Sequence, residues 1–581
     1  MSEPDGPQAS SLLDYYHCTF FLPLSGFGAG LEPHEALRQT YPHDRGLTGE
    51  DAQAFYYFTP TLRDIVFDRG DIPLAEDRQR LKGVAAVDGD RLVPVREWRL
   101  DKQVSLAEWR LVLEPSPSQK KGIRETPEKK PLFHQEAVFT SVRLYRYFNG
   151  IYLLAFTVKP KALADLEKAE NISLFGDSEE RLVPRCWADV EPDDPHRLSY
   201  ADLQLESWLR FTRLARQLYP SFTEQGEENK IAPLKLVTPE QTITALDAVV
   251  PLQLPQVAAH LSPIIVHLVQ QFFVEPTEDR LKQQLRLFDD RLFVSVAYGL
   301  AGKPYDDLHR VRALLATTDR FDDTWADMAG YAYSRMAVER YLQNTEFDFW
   351  ADMGGHYIFN DMVNAYLYNG WFFRNVIAPK HIPYMYDRML LQVLFYQASL
   401  RHYDHAITRN TTALLEKPHP SPTHPAATNA GISKIRKQRA DFIRFTNQYW
   451  FREVSNQMQG KMIFRLQYQG LGIDAYYQQL EGEIVRTNEY LQVLHENRLA
   501  EEAGKAGKQA NKLAGIAAAL ALIAALPVVN EVFKNEGLWG KLASRGAEYF
   551  GISLFSAQSL MAGLLVAVPG LVAWLFWRGK N

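Results

Sequence analysis

Two cysteines in 581 residues, Cys18 and Cys186, exclude a disulfide framework and a thiolate zinc cluster. Such a chain fits a reducing compartment. No charge of one sign dominates: the formal net charge is -6, so nothing pulls the whole chain toward nucleic acid, although a local basic patch stays compatible with it. The start, Met1 to Ser11, has no basic segment followed by an apolar one, so no cleaved secretory signal is expected there. The chain also lacks a Walker-type loop, a Gly-x-Ser-x-Gly elbow and a His-Glu-x-x-His helix, and an enzyme is therefore not expected.

The 581 residues exceed the size at which one core keeps growing, so several domains are expected. We read an α/β domain over 1–240, a helical domain over 241–430, long stalk helices over 431–512 and a transmembrane hairpin over 513–581. The fold class is thus an α+β cytosolic N-terminal body, a helical bundle with a long stalk helix, and a C-terminal pair of transmembrane helices.

Strand signals crowd the first part, at Tyr15–Leu24, from Arg91, and at Ser141–Val158. In the last of these Asn149-Gly150 predicts a type I′ hairpin turn. Glu114 to Pro131 reads as a solvated loop. A helical stretch starts at Ala201. From about 255 the pattern turns helical and aromatic, through 281–300, 325–342 and 386–407, with Val249–Val274 as a core helix pair. A proline-rich break spans Lys417–Pro425. Beyond it Leu480, Ile484, Thr487, Leu491 and Leu494 recur at 4-3-4-3 spacing, a heptad seam that predicts self-association.

The run from Leu513 to Val529 is uncharged and, continued to Phe533, reaches the roughly 20 residues needed to span a bilayer; a second uncharged run covers Ile552–Trp577. Lys505, Lys508 and Lys512 before the first, with Arg578 and Lys580 after the second, place both termini in the cytoplasm of a multi-pass inner (plasma) membrane protein. The alanine-rich first run, through Ala517, Ala521 and Ala525, is expected to line a pore. Pro527, Asn530 and Glu531 then stand at its mouth, where rings of amides and carboxylates select cations. A plain anchor, with Asn530 and Glu531 marking the interface, is the competing account.

A soluble body, a stalk helix entering a first span, a short external loop from Lys534 to Gly551 with Glu536 and Glu548, and a second span ending in basic residues together resemble the CorA-type divalent cation channels. The resemblance covers residues 433–581. It implies a pentamer embedded in a lipid bilayer, with divalent cations, Mg2+ foremost, as transported or regulatory ion. The Gly-Met-Asn motif of that family is replaced by Val528-Val529-Asn530-Glu531. A ligand-gated membrane effector and a non-conducting membrane-anchored scaffold are the alternatives, and no nucleic-acid partner is expected.

Candidate ligands elsewhere are few. His402 and His405 stand one helical turn apart and could share a metal, although a surface pair accounts for them as well. Asp319, Asp322, Asp323 and Asp327 offer hard oxygen ligands or an acidic helix start. Gly354-Gly355-His356, with Asn360, Asp361 and Asn364, reads as a polar helix start that would bind something if it were buried.

Overall fold

The computed structural model describes residues 13–25, 32–42, 47–68, 94–113, 135–164, 205–216, 234–244, 250–253, 258–273, 286–287, 292–300, 335–368, 370–415, 425–532 and 538–551, with Ser553, Ser556, Ser559 and Gly563. The chain divides into two compact units, 1–484 and 485–581.

In chain order the first unit has β1 (Leu13–Ser25), β2 (Arg38–Gln39), α1 (Gly49–Tyr57), α2 (Pro60–Val66), β3 (Arg96–Arg99), β4 (Arg110–Leu113), β5 (Gln135–Arg146) and β6 (Ile151–Pro160). Then come α3 (Leu205–Ala215), β7 (Leu234–Val237), β8 (Thr242–Thr244), β9 (Val250–Gln253), β10 (Ala258–Leu261), α4 (Pro263–Gln270), β11 (Arg286–Leu287) and β12 (Phe293–Leu300). They are followed by α5 (Arg335–Thr345), β13 (Glu346–Trp350), β14 (Gly355–Phe359), β15 (Val363–Tyr368) and a wide π-type helix, Phe373–Tyr386. The helices α6 (Asp387–Leu415), α7 (Pro425–Gln448), α8 (Met458–Gly470), α9 (Ile473–Val532) and α10 (Leu538–Phe550) complete the chain.

One 13-stranded sheet organises the body, with a main path β13-β14-β15-β12-β1-β6-β5-β4-β7-β8. It is mixed: β12 and β15 run parallel, whereas β1 pairs antiparallel with both β6 and β12. Alternation along the strands builds two cores. Tyr16, Cys18, Phe20 and Leu22 of β1 face α3 and α4 with Trp208, Phe211, Ile264 and Leu268. Phe21 points the other way, into a second core with α1, α2, the π-type helix and α6 to α8. Helices therefore cover both faces, which is why β12 and β15 are buried along their whole length.

The π-type helix has a local cause. Pro379 and Pro383 each lack an amide donor and crowd the carbonyl four residues back, so regular α winding is disfavoured. The segment winds wide instead, and its last bond runs from the Asp387 N–H to the Ile382 carbonyl, five residues back.

Several expectations hold. Strands occupy much of Tyr15–Leu24 and Ser141–Val158, helix occupies 386–407, and α7 begins at Pro425, at the end of the proline-rich break. The hairpin turn differs in detail. Gly150 N–H bonds to the Tyr147 carbonyl at 3.1 Å, so Phe148 and Asn149 take the central positions and Gly150, at φ 80°, follows them. Where the helix predicted over 281–300 is described it is strand, at 286–287 and 293–300, because the β-branched and aromatic residues at 293–300 fill the middle of the sheet. Val249–Val274 holds the small hairpin β9-β10 and the single helix α4. The loop at 114–131 lies outside the described residues. The sheet also crosses the boundary expected at 240, since β12 to β15 join the same sheet as β1.

Two expectations for the C-terminal part are corrected. Among the described residues no helix is long and apolar enough to cross a membrane. That overturns the transmembrane hairpin, the multi-pass plasma-membrane placement with cytoplasmic termini, and the assignment to membrane transport. The first run is no separate element: it continues the 60-residue α9, whose preceding stretch is rich in Glu and Lys. Its described side chains are mostly alanine, which removes little apolar area from water per residue. The second run lies outside the described residues apart from Ser553, Ser556, Ser559 and Gly563, and the segment read as an external loop contains α10. The heptad seam is also turned inward. Leu480 and Ile484 are buried in the body's own second core, and Leu491 is buried within the single chain, so these positions are not open to a coiled coil of copies.

Candidate functional site

A row of polar side chains crosses five strands on the face covered by α6. The register aligns Ser141 of β5 with Thr157 of β6, Thr157 with Thr19 of β1, Thr19 with Ser295 of β12, and Ser295 with Asn364 of β15. All five share the parity of the residues that enter the second core, such as Phe21, Ala155, Ala297 and Tyr366. A hydroxyl or amide at that depth needs a partner, because an unpaired one costs about 1–3 kcal/mol.

Most of the row is satisfied. Thr19 Oγ1 and Thr157 Oγ1 bond at 3.0 Å, and Arg143 Nε donates to Ser141 Oγ at 2.8 Å. Ser295 Oγ donates to Asp387 Oδ1 at 2.5 Å. Asp387 is the first residue of α6, at the joint with the π-type helix. Burial drives its carboxyl up to about 7, and the hydroxyl of Ser295, the Arg143 charge and the hydroxyl of Thr19 hold it from rising further. Asn364 is the exception. It is wholly buried, and neither its Nδ2 nor its Oδ1 meets a hydrogen-bond partner among the described residues.

Around this joint stand further polar groups. Gln467 of α8 donates to the Tyr386 carbonyl at 3.1 Å. Burial pushes the Tyr366 phenol well above its ordinary value, the Asp387 charge adds to this, and the Ser295 hydroxyl and Gln467 amide pull it back. His17 of β1 takes part through Nδ1, 3.2 Å from the Tyr15 hydroxyl, whereas its Nε2 has no partner among the described residues. Burial lowers the His17 imidazole to about 4, so it is neutral at pH 7.

Next to the row lies a buried charged network that ties sheet to helices. Arg388 Nη2 donates to the Tyr41 hydroxyl at 2.6 Å, and that hydroxyl donates to Glu97 Oε2 at 2.8 Å. Glu97 also pairs with Arg143 at 3.6 Å, and Arg388 with Asp51 of α1 at 3.8 Å. The Arg388 guanidinium stacks over Phe67, 4.6 Å from the ring centre. Arg143 therefore belongs to both the network and the row.

A carboxyl poised near neutrality, a hydroxyl and an amide with both donor and acceptor capacity can take a small polar ligand or one proton at the joint where α6 begins.

The residues expected from sequence are scattered. His402 and His405 both lie on α6, and among the described residues no group of three His, Cys, Asp or Glu could hold a metal ion. Asp319, Asp322, Asp323 and Asp327 lie outside the described residues. Pro527, Asn530 and Glu531 sit in the last turns of α9, as does Ala525, while Ala517 and Ala521 are exposed on the same helix. The polar helix start at Gly354–Asn364 is instead the hairpin β14-β15. His356 Nδ1 meets Glu346 Oε1 at 2.9 Å, and Asn360 Oδ1 accepts the amides of Met362 and Val363. Of that group only Asn364 reaches the site. Asp387, Ser295, Thr19, Arg143 and Arg388 were missed, although an Asp-Arg pair followed by the apolar run MLLQVLF is a legible sign of buried charge.

The chain matches no protein-family model, no curated protein and no solved structure.

Proposed function

We propose that the chain is a ligand-responsive effector working as a homo-oligomer, with the body 1–484 taking a small polar ligand at the Ser295–Asp387–Asn364 joint and α9 associating copies. One observation carries the first half: Asn364, fully buried beside a short Ser295–Asp387 bond, keeps an amide donor and an acceptor unmatched among the described residues. The second half is supported by Leu513, Ile516 and Leu520, exposed at helical 3-4 spacing along α9. Cation transport, which the CorA-type resemblance implies, needs a membrane span and goes with it. A divalent cation as regulatory ligand stays within the proposal, since Asp387 supplies a hard oxygen.

The test is thermal melting of the full chain against free amino acids, nucleotides, dicarboxylates and Mg2+, each at millimolar concentration. At least one class is expected to raise the melting temperature, and Asn364→Leu to abolish that shift while leaving the fold intact. No shift from any class, or a shift that survives in Asn364→Leu, would sink the ligand half. Light scattering during size exclusion decides the other half: a monomer removes it.

A further inference from the structure

The chain is acidic overall, yet α7 concentrates the opposite charge on its outer face. Lys434, Arg436, Lys437, Arg439 and Arg444 lie within eleven residues, and all are exposed. Asp441 is the single acid in the whole helix, so α7 carries a net +4 in a chain of net -6. The buried stripe fixes this orientation. Ile435, Phe442 and Phe445 turn inward, with Phe442 5.5 Å from Tyr403 of α6 and Phe445 against Trp450 at 5.3 Å. Three of the five cations are arginines, whose planar forks suit phosphate oxygens. Arg409 of α6, the helix packed beside α7, is exposed as well.

We propose that this face of α7 binds the phosphate backbone of a nucleic acid. From Lys434 to Arg444 the helix rises roughly 15 Å, at 1.5 Å per residue. That matches the rise of roughly four to five nucleotides at 3.4 Å each, so neighbouring cations meet neighbouring phosphates. A bilayer surface is the poorer fit. Interfacial helices carry a broad apolar face next to their basic one, and Ile443 is the one exposed large apolar residue of α7 among the described residues. The recognition is electrostatic and independent of base sequence, since α7 presents cations and no exposed aromatic for stacking.

The full chain is titrated onto fluorescein-labelled 20-nucleotide single-stranded RNA, the same sequence as DNA, and the DNA duplex, with anisotropy read at 50 and 200 mM KCl. Binding is expected to weaken steeply with salt. Arg436→Glu/Lys437→Glu/Arg439→Glu is expected to lose at least tenfold in affinity and to show a shallower salt dependence. The corresponding triple glutamine variant should lie between, and melting curves confirm that both remain folded. The RNA and DNA arms show which polymer is preferred. Absence of binding at 50 mM KCl, wild-type affinity in both triple variants, or association with phosphatidylglycerol vesicles but with none of the three nucleic acids would each overturn the proposal.

Discussion

Ser295 in the middle of the sheet donates a hydrogen bond from its hydroxyl to Oδ1 of Asp387, the first residue of α6, at 2.5 Å. This bond joins β12 to the point where wide winding becomes regular helix, so the charge state of one carboxyl is felt by both layers. Arg143 acts on the same carboxyl through its field and, through Glu97 and Tyr41, on Arg388, the residue next to it.

The Asp387 carboxyl holds its proton to about pH 7 in the folded chain, against about 3.9 when unfolded. Between those values the unfolded state releases the proton first, so this group lowers stability as pH rises from about 4 to 7, by on the order of 4 kcal/mol in all. Asp387→Asn is expected to flatten that part of the profile. Urea midpoints measured at half-unit pH steps check it; an unchanged slope contradicts the assignment.

His17 acts with the opposite sign. Its imidazole titrates at about 4 when folded and at about 6.5 when unfolded, so its contribution is complete above pH 6.5 and is lost as pH falls toward 4. In the wild type the two groups offset one another over much of this window. His17→Phe is expected to expose the Asp387 slope, giving a steeper loss of stability from pH 4 to 7 than the wild type shows.

Arg388 anchors α6 to the sheet by way of Tyr41. Truncation to alanine leaves Glu97 with less compensating charge in a buried place and is expected to cost about 3–5 kcal/mol. Arg388→Met, which keeps the stem over Phe67, should cost less; equal losses would show that charge, not packing, dominates.

Asn364 separates stability from binding. Replacing an unmatched buried amide by a side chain of similar shape is close to neutral or stabilising. Asn364→Leu is therefore expected to melt no lower than the wild type while losing ligand response.

The strands and helices of the body were legible where local pattern decides the outcome: Asn149-Gly150 marked the hairpin, and the apolar period of 386–407 marked α6. The 293–300 segment was not, because a strand buried on both faces shows a continuous apolar run that a helix shares. The site was legible only at Asn364. Thr19, Thr157 and Ser141 are ordinary strand residues taken singly, and Thr19 joins Thr157 and Ser295 only through pairings between segments more than a hundred residues apart. The seam at Leu480 and Ile484 had the spacing of a coiled coil, but spacing does not say whether the partner is a copy or the chain's own helices.

The central place of β1 also sets a timetable for synthesis. A ribosome completes this strand well before either neighbour, since β6 follows more than a hundred residues later and β12 starts only at Phe293. At about 5–20 residues per second, one edge of a very apolar strand waits roughly 7–27 s of elongation for β6 and the other roughly 14–55 s for β12. The nascent protein thus exposes apolar strand edges for far longer than its individual helices need to form, and overexpression at low temperature should favour its recovery.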